Sequence, residues 1–166
     1  MSVAHHDAFN PAPHPLDMLE RAVEGNGWPF ERSGPDELNL SVAGRWCDHH
    51  FTFTWRDDLQ SLHLSSAFDM RVSDSRRHDV ADLLMYVNAK LWLGHFDLWP
   101  DDGGLLFRHA MIFPDAKASA SQCEALLHLA VEACEYYYPA FQFVLWGGKT
   151  AEEAVAAAVL ECAGQA

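Results

Sequence analysis

The sequence predicts an α+β protein in which helices pack on one face of an antiparallel β-sheet built from a meander and a hairpin. Three observations predict this fold. Residues 38–72 largely alternate apolar and polar side chains with a period of two, which is typical of strands with one buried and one solvated face. Residues 76–93 and the residues after 119 show the longer period of amphipathic helices. The turn sequence "DDGG" between two apolar runs indicates the hairpin.

The length of the chain predicts a single domain. A chain of 166 residues buries roughly two-thirds of its unfolded surface on folding, which is enough for a core without disulfides or metals. Prolines at positions 11 and 13 indicate that residues 1–14 form a flexible arm. We therefore expect a single α+β domain over residues 15–166.

The first half of the domain is predicted to be a short helix followed by four strands. The helix covers residues 17–24, because apolar residues at 16, 19 and 23 share one face and "GNG" ends it. The segments "WPFERSG" and "ELNLSVAG" are the first two strands. The third and fourth strands bury one set of alternating side chains each, namely Cys47, His49, Phe51, Phe53 and Trp55, then Leu62, Leu64, Phe68, Met70 and Val72.

The second half is predicted to contain three helices and the hairpin. A helix over residues 76–93 has Ser73 or Ser75 as its N-cap and Gly94 as its stop. After the hairpin, a long helix starts near residue 119, and Pro139 is expected to kink or interrupt it. The last helix starts at residue 150, where "TAEE" has the spacing of a capping box, and ends near residue 164.

Charge and cysteine usage restrict the partners and the compartment. The net charge of −13 opposes binding to nucleic acid or to an anionic membrane surface and favours a basic or amphipathic partner. The four cysteines form no C-x-x-C pair, and the first residues lack the apolar core of a secretory signal. No apolar run approaches the ~18 residues of a membrane span. We expect a bacterial cytoplasmic protein with reduced thiols.

The stretch "CDHHFTFTWRDD" contains many candidate metal ligands, but its strand period separates them. His49 and His50 point to opposite faces, and Cys47 shares the core face with His49. A histidine on that face is expected to be hydrogen-bonded in the core. The remaining metal candidate is the pair His50 and His63, which could approach each other across the solvated face.

No motif indicates catalysis. The segment "WGGKT" resembles the end of a phosphate-binding loop, but Phe143 occupies the position of its first glycine. The three later cysteines lie at the spacing of core residues, and neither G-x-S-x-G nor H-E-x-x-H occurs. We therefore expect no enzyme activity, no cofactor and no metal.

A surplus of apolar surface indicates an interface. Ala81, Met85 and Trp92 widen the apolar face of the predicted helix over residues 76–93 beyond what one contact requires. Trp99 beside its turn and Trp146 before a glycine pair are further candidates, because exposed tryptophan is favoured at interfaces. Two explanations remain open. The C-terminal helix "AVAAAVLECA" covers this surface, or a second subunit or a partner covers it.

Two longer phrases resemble the YbjN-like family of small bacterial proteins, often labelled sensory transduction regulators. They are "VNAKLWLGHFDLWPDDGGLLFRHAM", a helix leading into a hairpin, and "ACEYYYPAFQFVLWGGKTAEEAV", a proline-containing helix with its capped successor. The resemblance covers most of residues 15–163. It implies a fold similar to type III secretion chaperones, which commonly dimerise and hold segments of other proteins.

The predicted function is a non-enzymatic, homodimeric regulatory or chaperone-like module that recognises a protein or peptide segment by apolar contact. The acidic composition agrees with such a binding function. The alternative, from a different class, is a metal-dependent sensor or enzyme that uses His50 and His63. The metal content of the purified protein would separate the two.

Overall fold

The computed structural model describes residues 13–164, apart from the side chain of Ala116. In chain order the helices and strands are α1 (Pro15–Asn26), β1 (Phe30–Gly34), β2 (Glu37–Ala43), β3 (Asp48–Arg56), β4 (Ser61–Arg71), α2 (Arg77–Asn88), β5 (His95–Leu98), β6 (Gly104–Ile112), α3 (Ala120–Leu145) and α4 (Ala151–Ala163). The six strands form one antiparallel sheet in the order β1-β2-β3-β4-β6-β5. The predicted α+β fold, with a meander and a hairpin, is confirmed.

The alternation along the strands separates a buried face of the sheet from a solvated one. On β3, His49, Phe51, Phe53 and Trp55 are at most 4% exposed, whereas His50 is exposed. The residues predicted to be buried on the fourth strand are buried, with Val72 just after the end of β4, and Ser61 and Ser66 are buried as well. The β5–β6 hairpin folds back so that β6 pairs with β4, which extends the same two faces.

Helices cover the buried face. α1 packs against α3 and β3, and the buried residues of α3 include Cys123, Leu126, Leu127, Ala130 and Cys134. α4 packs against α3 and α2, and its N-terminus has the predicted capping box, in which Glu153 N–H donates to Thr150 Oγ1 over 3.3 Å. The core is therefore one layer between the sheet and the helices.

Pro139 does not break α3, so the predicted interruption is wrong. The helix runs through Pro139, which is buried, from Ala120 to Leu145. Proline lacks the N–H that would bind the carbonyl of Glu135 four residues earlier. The indole of Trp46 supplies a replacement, because its Nε1–H donates to this carbonyl over 3.1 Å.

α2 ends five residues earlier than predicted, at Asn88 instead of residue 93. The side chain of Asn88 bonds both backbone groups of Phe96: Nδ2 donates to Phe96 O over 2.9 Å, and Phe96 N–H donates to Oδ1 over 2.8 Å. These bonds join the end of α2 to β5. At the other end, a 3-10 turn over Asp74–Arg76 precedes α2, so neither predicted serine is its N-cap.

The predicted N-terminal arm over residues 1–14 lies almost entirely outside the described residues. His14 is described, and its Nδ1 accepts a hydrogen bond from Leu16 N–H at the start of α1, over 3.3 Å. Among residues 13–164, no helix has the length and the apolar character needed to cross a membrane.

Candidate functional site

An open groove of about 590 Å³ lies beside the middle of α3. Two loops contribute to its walls: residues 44–47, which join β2 to β3, and residues 90–93, which join α2 to β5. We call them the anchored loop and the exposed loop. The side chains around the groove are Arg45, Trp46, Lys90, Leu91, Trp92, Leu93, Leu129, Glu132, Ala133, Glu135, Tyr136, Tyr137 and Cys162.

The exposed loop protrudes because the chain on both sides of it is fixed. Asn88 holds the end of α2 against β5, as described above. Gly94 has a φ of +72°, and a Cβ there would lie 2.3 Å from Cζ of Phe107, so only glycine fits this close turn. Between these two points Trp92 is 98% exposed and Leu93 is exposed, whereas Leu91 is half-buried and packs against the core.

The anchored loop is bound to α3 through one residue, Glu135. The Oε2 atom of Glu135 accepts a hydrogen bond from Arg45 N–H over 3.0 Å, and Oε1 accepts one from His49 Nε2–H over 2.5 Å. The carbonyl of Glu135 accepts from Trp46 Nε1–H over 3.1 Å. Three hydrogen bonds to one residue therefore fix this wall of the groove.

Gly44 leaves the space that this arrangement needs. A Cβ at Gly44 would lie 2.2 Å from Oε1 of Glu135 and 2.5 Å from the carbonyl oxygen of Cys47. Neither contact is sterically acceptable, and the second involves backbone. Glycine at position 44 allows the Glu135 carboxylate to reach the buried imidazole of His49.

The cluster contains a thiol, an imidazole and a carboxylate in sequence, but the thiol is not activated. Cys47 Sγ lies 3.8 Å from His49 Nδ1, and the other nitrogen of the same ring faces Glu135. Burial raises the pKa of the Cys47 thiol, and the negative charge of Glu135 raises it further. A nucleophilic cysteine needs a lowered pKa. The arrangement therefore acts as a hydrogen-bonded support for the groove.

The structure places the predicted interface residues on four separate surfaces. Ala81 and Met85 are exposed, one turn apart on α2, and Met85 is 72% exposed. Trp92 lies on the rim of the groove. Trp99 lines a different depression beside the β5–β6 turn, and Trp146 is exposed at the end of α3.

The prediction that Trp92 stacks near Met85 and Ala81 on one helix face is wrong, because α2 ends before Trp92. The alternative in which the C-terminal helix covers this surface is also wrong for these three residues. α4 packs against α2 as expected, but Ala81, Met85 and Trp92 stay exposed within the chain.

The proposed approach of His50 to His63 is wrong as well. His63 pairs with Thr54, four residues along β3 from His50, which separates the two histidines by roughly 13 Å. Each ring bonds a serine instead: His50 bonds Ser41 and His63 bonds Ser61. Among the described residues, no group of three or more His, Cys, Asp and Glu side chains is placed to hold a metal ion.

Sequence reasoning predicted Trp92 as an interface residue but missed the other residues that build the groove. Neither Glu135, which contacts His49, nor the anchored loop was predicted to contribute to a site. One signal was present in the sequence. A proline inside a helix leaves the carbonyl four residues earlier without its partner, so Pro139 marks Glu135 as a position that needs a donor from elsewhere.

The fold and the groove define the class of protein: a small α+β protein with an antiparallel sheet covered by helices. A family model described as "YbjN: Putative bacterial sensory transduction regulator" matches residues 15–143. This chain belongs to the YbjN family. The resemblance predicted from the sequence is thereby confirmed.

One solved structure supports the fold assignment. It is described as "YbjN, a putative transcription regulator from E. coli" and matches with a TM-score of 0.53 at 17% sequence identity. The match covers 72% of this chain and 85% of that chain. At this identity the likeness shows the fold alone. A search among curated proteins found no match.

Proposed function

We propose that this member of the YbjN family is a non-enzymatic regulatory protein that binds an apolar segment of another polypeptide in the groove. The observation that carries the proposal is the 98% exposure of Trp92 on the rim of a groove whose lining includes Leu91, Leu93 and Tyr136. Exposed aromatic residues beside a concave apolar surface are typical of binding hot spots. The family description supports a regulatory role in bacteria. The cytoplasmic location and the holding function of type III secretion chaperones stay predictions.

The charge of the chain favours regulation through protein contact over direct contact with DNA. The similar structure is described as "a putative transcription regulator". In this chain, a net charge of −13 opposes the release of counterions that drives DNA binding. We expect no DNA gel shift with micromolar protein at ~0.15 M salt, and a shift under these conditions would contradict regulation by protein contact alone.

Selection from a random peptide library tests the groove as the binding site. We expect enriched peptides to carry apolar or aromatic anchors and to bind the wild-type protein. The variant Trp92→Ala should bind them at least ~30-fold more weakly, because a buried hot-spot tryptophan contributes ~2 kcal/mol or more. Trp146→Ala is the matched control, since Trp146 is also exposed but does not line the groove. Equal binding by Trp92→Ala would place the binding site elsewhere.

A second copy of the chain is a further candidate occupant, and we propose a homodimer on the same observation. Trp92 and the groove are neighbours on one surface. A two-fold axis between two such surfaces would therefore place Trp92 of each copy in the groove of the other. Light scattering over a dilution series should show dimers for wild type and Trp146→Ala and a weaker association for Trp92→Ala. A wild-type monomer at ~100 μM would contradict the homodimer and leave the peptide proposal standing.

A further inference from the structure

A separate cluster of polar side chains lies on the solvated face of the sheet. The strand register aligns Thr52 of β3, Ser65 of β4, Arg108 of β6 and His95 of β5 in one row. Directly paired residues of antiparallel strands share a face, and neighbouring strands lie ~4.8 Å apart. Two hydroxyls, a guanidinium group and an imidazole therefore project side by side from four strands.

The neighbouring row on the same face consists of Thr54, His63 and Ala110. The small side chain of Ala110 leaves a depression between its larger neighbours. The depression between the two rows has a volume of about 320 Å³. This volume is at the lower end of the range for small-molecule sites.

The charge of the depression contrasts with that of the whole chain. None of the described residues that line it is acidic, whereas the chain carries a net charge of −13. The nearest acidic partner is Asp97 on β5, whose Oδ2 accepts a hydrogen bond from Arg108 Nη1 over 3.2 Å. A guanidinium group has five N–H donors, so this bond leaves others of Arg108 for a ligand.

We propose that this depression binds a phosphate group, either free or on a phosphorylated side chain. Arginine supplies a planar pair of donors that matches a phosphate oxyanion, and the hydroxyl of Ser65 adds a further donor beside it. The hydroxyl of Thr52 already donates to Asn39 Oδ1 over 2.6 Å, so it can only accept. His63 and His95 stand on either side of the Arg108 position, so the ligand would meet donors from three strands. This site is independent of the groove and does not rest on the peptide-binding proposal.

The imidazoles of His63 and His95 can add donors for an anion, because a neutral imidazole carries one N–H. The charged groups facing the site are Arg108 and Asp97. His109 pairs with Leu64 and so lies on the opposite face of the sheet, where burial lowers the pKa of its imidazole.

A titration of the full-length ¹⁵N-labelled protein with sulfate tests the site. We expect saturable shifts of the backbone amides of Ser65 and Arg108. Arg108→Gln should weaken binding at least about tenfold. Arg71→Gln is the matched control, since Arg71 also pairs with an aspartate near the hairpin but lines a different depression.

Parallel titrations with inorganic phosphate and O-phosphoserine distinguish the two sources of the ligand. Tighter binding of O-phosphoserine would indicate a phosphorylated side chain, and tighter binding of inorganic phosphate would indicate a free anion. Three results would overturn the proposal. The amide shifts could fail to saturate, chloride could reproduce them at equal ionic strength, or they could persist in Arg108→Gln. The amide spectrum of Arg108→Gln also reports whether the variant is folded.

Discussion

The two loops that line the groove differ in what holds them. Three hydrogen bonds from Arg45, Trp46 and His49 to Glu135 fix the anchored loop and the start of β3 to α3. The exposed loop is held at its two ends, by Asn88 and by Gly94, and presents Trp92 and Leu93 to solvent between them. One wall of the groove is thus built from a polar network and the other from exposed apolar side chains.

This difference separates stability from recognition. Buried polar groups are costly when they lose their partners, so changes in the anchored loop should affect folding first. An exposed side chain contributes little to folding, so changes in the exposed loop should affect binding first. Substitutions on the two walls therefore provide a direct test of their different roles.

The largest effect is expected for Glu135→Ala. This change leaves the imidazole of His49, which is 1% exposed, and the N–H of Arg45 without their partner. We expect the free energy of unfolding in urea to fall by about 3 kcal/mol. Glu132→Ala is the control on the same helix, because Glu132 is exposed and lines the same groove. Equal effects of the two substitutions would show that the network does not stabilise the fold.

An intermediate effect is expected for Trp46→Phe. Phenylalanine keeps most of the aromatic surface but removes the N–H that bonds the carbonyl left free by Pro139. We expect a loss of about 1 kcal/mol in the free energy of unfolding. The control Trp146→Phe alters an exposed ring. Pro139→Ala restores the helical N–H that can bond the carbonyl of Glu135. If Trp46→Phe no longer destabilised the protein in the Pro139→Ala background, the loss of a donor to this carbonyl would be confirmed as the cause.

The sheet could be predicted from the sequence because strand periodicity is local. The alternation in "CDHHFTFTW" alone identified which side chains of β3 are buried, including His49. Caps are local as well, and the capping box at Thr150 was predicted correctly. Local patterns of this kind determine which face of an element is buried, whatever packs on it.

The groove could not be predicted because its contacts join distant parts of the chain. The bond between Arg45 and Glu135 spans 90 residues, and no periodicity encodes it. The end of α2 was misplaced for a similar reason. Apolar residues continue the helical pattern to residue 93, but the side chain of Asn88 bonds β5 and ends the helix there. A tertiary contact overrides the local pattern in both cases.

The smallest effect on folding is expected for Trp92→Ala. The side chain is 98% exposed in the isolated chain, so its removal should change the free energy of unfolding by less than about 0.5 kcal/mol. The measurement must be made at a protein concentration where wild type is monomeric, because an oligomer stabilises its subunits by mass action.

Phe96→Ala is the control for Trp92→Ala, four residues along the chain. Phe96 is 1% exposed, and its truncation should cost about 3–5 kcal/mol. A loss above about 1 kcal/mol for Trp92→Ala in the monomer would mean that the exposed loop packs against its own chain, and the contrast between the two walls would fail. If Trp92→Ala leaves the free energy of unfolding almost unchanged but weakens peptide binding, Trp92 functions in recognition. The substitution would then remove a contact that is made only with the bound segment.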